Sequence, residues 1–129
     1  MRKTLVYCAV TMMVLGLSLT TKSVSGANRA KEMTVKGEVV DLPCYEGKDG
    51  KRGEAHKSCA LSCAKRGNQL AIVEDGTNTV YSITGDFSAN KNEKLIEFVA
   101  AMVEAKGEVT EKDGKKFILV SSIKKLEMK

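Results

Sequence analysis

Histidine is almost absent from this chain. Among 129 residues His56 is the only one, and cysteine occurs at four positions. That scarcity narrows the chemistry. A Ser-His-Asp arrangement would have to draw on His56 alone. No C-x-x-C occurs, so a thioredoxin-like pair is excluded, and no C-x-x-C-H occurs, so covalent c-type haem attachment is not supported. There is no phosphate loop, and no carboxylate pair is marked by its setting. An enzyme is therefore the least supported class. After Leu19 no stretch is apolar enough to span a membrane.

What the chain does carry begins with an N-terminal export signature. Arg2 and Lys3 precede a mostly apolar, uncharged stretch from Leu5 to Leu19, and Ser25, Gly26 and Ala27 offer small residues for cleavage. Residues 1–27 read as a signal peptide, with Cys8 inside its apolar part, and the expected location is periplasmic or secreted. Without these residues the basic count falls from 21 to 18 against 16 acids, a net charge of about +2 instead of +5. So slight an excess does not suggest a basic stripe for nucleic acid, and export makes that partner less expected still. Another exported protein is an open alternative.

Residues 28–32 read as a flexible leader and 33–129 as a single domain. Met33 to Leu42 alternates as a first strand, with Gly37 marking a bend and Pro43 the end. Tyr45 to Gly53 is a charged, glycine-rich loop. Glu54 to Arg66 reads as a short helix closed by Lys65, Arg66 and Gly67. Strands follow at Gln69–Glu74 and Val80–Ile83. Asn90 and Glu93 have the spacing of a capping box. Leu95, Phe98, Val99, Met102 and Val103 recur at helical spacing up to Gly107, which predicts a second helix. Glu108–Thr110 and Phe117–Ile123 complete five strands. Lys36-Gly-Glu-Val39 recurs as Lys106-Gly-Glu-Val109, as if two strands made the same glycine bend. The order predicts a mainly β, five-stranded OB-like Greek-key barrel with a helical insertion between strands 1 and 2. An open α+β sheet is the alternative.

The insertion holds the chemistry. Cys44, His56, Cys59 and Cys63 follow a C-x11-H-x2-C-x3-C spacing, which matches no zinc-finger pattern of paired knuckles. On a helix the last three fall within an arc of roughly 60°. His56 and Cys63, however, would lie about 10.5 Å apart along the axis. One ion can take all three only if His56 sits on a frayed first turn, which Gly53 permits. Thiolates and an imidazole suit Zn²⁺ or Cu⁺. Three cysteines in an oxidising compartment also allow a Cys44–Cys59 or Cys44–Cys63 disulfide with one spare thiol. A thiol-redox role is a further alternative, because a helix N-terminus and Lys57 beside Cys59 would activate that thiol. Asp41 and Glu46 flank Cys44 as candidate supporting groups.

Gly37-Glu-Val-Val-Asp41, Cys44-Tyr45 and His56-x2-Cys59-Ala60-x2-Cys63 resemble a group of small exported bacterial proteins, mostly of unassigned function. The resemblance spans most of Thr34 to Ile123, and its distinctive motif lies at the N-terminal end. It implies an OB-like barrel with a cysteine-bearing insertion and supplies no activity. Gln69-Leu70 stands where the group would carry Pro-Val or Pro-Ile. Taken together, the expectation is an exported, non-enzymatic metal-binding module whose ligands are Cys44, His56, Cys59 and Cys63; the alternative is a ligand- or protein-binding OB-like domain whose cysteines form a structural disulfide.

Overall fold

The computed structural model describes residues 30–47 and 50–127; the expected signal peptide, 1–27, lies outside them. Five strands form a closed barrel: β1 (Lys31–Asp41), β2 (Leu70–Glu74), β3 (Val80–Thr84), β4 (Met102–Lys112) and β5 (Lys115–Lys125). Around the barrel they run β1-β2-β3-β5-β4, with β4 pairing back onto β1. The β3–β5 pair is parallel and the others antiparallel. The sheet closes on itself, so the fold is the OB-like barrel and not the open sheet. No helix among the described residues is long and apolar enough to cross a membrane.

The closure explains the repeated glycines. β1 pairs with β4 along Lys31–Glu38 and with β2 along Gly37–Asp41, so Gly37 touches both partners. A Cβ there would lie 2.1 Å from the Val73 carbonyl oxygen. At Gly107 it would lie 2.2 Å from the Leu119 carbonyl oxygen, where the β4–β5 register shifts. In both strands the missing side chain lets a neighbouring backbone come in close.

Inward side chains of the strands fill the barrel. Val35, Val39, Leu70, Ile72, Ile83, Val103, Ala105 and Ile118 are fully buried, together with Leu95 from the β3–β4 connection. Ala60 and Ala64 join the same core. A second, smaller cluster lies on the outer face of β1 and β2, where Val40, Ala71 and Val73 pack under Leu42, Tyr45 and Val80. It explains why Val40 is buried although it follows the inward Val39.

Several elements differ from expectation. β1 begins at Lys31, so Lys31 and Glu32 belong to the barrel and not to a leader. The chain after Asp41 turns into a short helix, α1 (Leu42–Gly47), where a loop was expected. The expected second helix is replaced by short turns and strand. Asn90, Lys91 and Asn92 have left-handed φ of 50°, 57° and 60°, no side-chain cap forms, and a 3₁₀ turn covers Glu93–Phe98. Val99 is extended and bridges to Val39, and Met102 already opens β4. Met102 to Gly107 also satisfies a period of two, with Val103, Ala105 and Gly107 buried. Pairing with both β1 and β5 decides between the two periods, because barrel closure needs that strand.

Candidate metal centre

The site is assembled by two short helices at opposite ends of one insertion. Asp41, the last residue of β1, pairs with Leu70, and the Leu42 amide donates to the Gln69 carbonyl at 2.9 Å. Asp41 Oδ2 then accepts the Cys44 amide at 3.2 Å, three residues on. This is N-cap chemistry, and it starts α1 with Pro43 in the first turn, where a missing amide costs nothing. Cys44 thus sits in the first turn of α1, fixed to the end of the barrel strand.

The other arm is α2 (Lys57–Lys65), preceded by a 3₁₀ turn at Glu54–His56. Its small residues form two stripes, each one turn long. Ala60 and Ala64 are buried against the barrel. Cys59 and Cys63, one position earlier in each case, turn away by about 100°. The far end of α2 is clamped by Asn92, which is 2 % exposed. Its amide nitrogen donates to the carbonyls of Ala64 (3.0 Å) and Asn68 (2.8 Å).

The result is convergence of three sulfurs. The Sγ atoms of Cys44, Cys59 and Cys63 all lie within 4.8 Å of one another, and all three cysteines are free thiols. Cys63 is buried, Cys44 half-buried and Cys59 exposed. Such a group could hold a metal ion. Arg66 brings a positive charge to it: Nη2 donates to Cys63 Sγ at 3.0 Å, and this contact raises the guanidinium pKa above its ordinary value. Lys57, expected to activate Cys59, instead pairs with Glu54 at 3.2 Å.

The Cys44 thiol is pushed up to about 12. Hydrogen bonding to the Asp41 carboxylate is the largest cause, followed by burial, then by the negative charges of Asp41, Cys63 and Cys59. Asp41 itself is 1 % exposed. Glu46, the other flanking acid, is exposed.

His56 stands outside the three-sulfur group. It does lie ahead of the regular α-helix, on a 3₁₀ turn after a Gly53 with φ of 84°, the kind of break a shared site would require. His56 lines instead a small cavity of about 10 Å³ together with Asp41, Glu38 and Gly53. Its Nε2 is buried and has no hydrogen-bond partner among the described residues.

Sequence reasoning placed the three cysteines and undervalued Asp41 and Arg66. Asp41 carried a readable signal: an Asp two residues before Pro, with Cys at the third helical position, is a helix start. Arg66 lies three residues after Cys63, a spacing at which helical side chains meet.

Comparison with protein-family models, with curated proteins and with solved structures finds no match.

Proposed function

We propose that this protein is an exported, non-enzymatic metal-binding module that takes Zn²⁺ or Cu⁺ on Cys44, Cys59 and Cys63. The convergence of the three sulfurs carries the proposal. Zinc–sulfur bonds of about 2.3 Å in a tetrahedron place sulfurs about 3.8 Å apart. Side-chain rotation over about 1 Å therefore closes the group onto one ion. Soft thiolates suit both Zn²⁺ and Cu⁺, and the Arg66 guanidinium offsets part of the charge that three thiolates bring together.

Export rests on the signal-like residues 1–27, and kinship with the small exported barrels rests on the Gly37–Tyr45 and His56–Cys63 motifs. A thiol-redox role has less behind it, because Lys57 pairs with Glu54 instead of activating Cys59, and Cys44 favours its protonated form, whereas a reactive thiol needs the opposite.

The test is to isolate the protein from the periplasm, take its native mass, and count reactive thiols before and after chelation. Bound metal, with three thiols released by the chelator, is the expected result. A mass lower by two hydrogens, one free thiol and no metal would replace the metal centre with a disulfide.

A further inference from the structure

Among the described residues only two buried side-chain polar atoms lack a hydrogen-bond partner: Asp41 Oδ1 and His56 Nε2. Both residues line the same cavity of about 10 Å³. Buried polar atoms are rarely left unpaired, because each has given up its hydration with nothing to replace it. Here a carboxylate oxygen and an imidazole nitrogen able to donate belong to residues that line one space, with room for about one water.

The cavity places the two groups in a chain that ends at the sulfurs. Oδ2 of Asp41 accepts the Cys44 amide at 3.2 Å, and the Cys44 sulfur lies within 4.8 Å of those of Cys59 and Cys63. The histidine side of the cavity is also braced, since the Gly53 amide donates to Glu38 Oε1 and the His56 amide donates to the Gly53 carbonyl at 3.0 Å.

We propose that His56 serves the metal centre as a positioning residue and not as a ligand: Nε2–H donates to Asp41 Oδ1, directly or through one water, and so fixes the carboxylate that orients Cys44. This rests on the metal-binding reading above and assigns within it a place for the single histidine. Ligand side chains of metal sites are commonly held by such outer partners, and losing one typically weakens binding about 10–100-fold.

Two measurements separate this proposal from the reading beneath it. In the metal-free protein, imidazole ¹⁵N shifts should report the Nε2–H tautomer, and Asp41→Asn should move the Nε2 signal. This readout needs no metal. An Nδ1–H tautomer, or an Nε2 signal indifferent to Asp41→Asn, would overturn the pairing. The second measurement is titration with Co²⁺, then Zn²⁺ competition against a chromophoric chelator. His56→Ala should keep the thiolate-to-cobalt charge-transfer and ligand-field bands of the wild type while Zn²⁺ affinity falls roughly tenfold. His56→Gln, which retains an N–H donor near Nε2, should recover most of the loss. In an Asp41→Asn background His56→Ala should add little. A shifted ligand-field band would make His56 a ligand and overturn the proposal. So would unchanged affinity in His56→Ala, or fully additive losses in the double variant. A wild type that binds neither ion would overturn the metal-binding reading while leaving the ¹⁵N result to stand or fall by itself.

Discussion

Cys44 is held by two opposing effects. The Asp41 carboxylate fixes its backbone and also stabilises its protonated thiol. A metal ion must displace that proton, so binding should release protons and tighten as pH rises. Replacing Cys44 by Ala should lower Zn²⁺ affinity by more than about 100-fold, beyond the loss expected from any supporting group; competition with a chromophoric chelator measures it. The same shift has a consequence without metal. A folded-state thiol pKa raised from about 9.0 to about 12 means that the folded protein holds a proton the unfolded chain gives up. The stabilisation is complete below about pH 9 and is lost as pH rises toward 12. Denaturant melts of metal-free wild type and Cys44→Ala should therefore show a difference that shrinks with pH across that window. A difference independent of pH would show that the Cys44 thiol does not titrate this way.

At the scale of the element, two residues hold the insertion and the barrel in register. Asn92 caps the C-terminal end of α2 through two carbonyls and does so from a left-handed φ of 60°. Asn92→Ala should cost about 1–3 kcal/mol, because both carbonyls lose their partner, and urea unfolding reads it. Gly37 allows the Val73 carbonyl within 2.1 Å of where a Cβ would stand. Gly37→Ala should therefore cost about 3 kcal/mol or more by forcing β1 and β2 apart. The barrel was legible because its signals are local. Two strands carry the same Lys-Gly-Glu-Val bend, strand ends are marked by Asp-Gly and Pro, and alternation covers the strands. The Leu95-to-Val103 segment misled because its apolar residues keep a period of 3.6 across a 3₁₀ turn and the start of β4, where Met102 to Gly107 also satisfies a period of two. Only pairing with strands distant in sequence selects the second. The sulfurs were legible as a cluster because they sit one helical turn apart beside a strand end. His56 lies instead beside the cavity it shares with Glu38, Asp41 and Gly53, a tertiary placement that no spacing encodes.

For the whole molecule, the sulfur cluster lies where two helices that pack on different parts of the barrel come together. α1 covers the outer apolar patch of Val40, Ala71 and Val73 through Leu42 and Tyr45, whereas α2 closes onto the main core through Ala60 and Ala64. The barrel is held separately. Glu104, for example, bridges Lys36 on β1 (3.2 Å) and Lys124 on β5 (2.8 Å) across the pairs in register with it. An ion on Cys44, Cys59 and Cys63 would add a link between the two helices without altering the strand ladders. Ligand binding to the native state alone stabilises by about 4 kcal/mol at a free concentration 1,000 times the dissociation constant. Saturating Zn²⁺ should accordingly raise the melting temperature, and chelation should reverse the rise. Hydrogen exchange should locate the effect: protection should increase first in Leu42–Gly47 and Lys57–Lys65, with local opening of β4 and β5 nearly unchanged. The Cys44→Ala variant should show neither response. Zinc-dependent protection spread evenly over the barrel, or retained in that variant, would mean that the ion binds elsewhere.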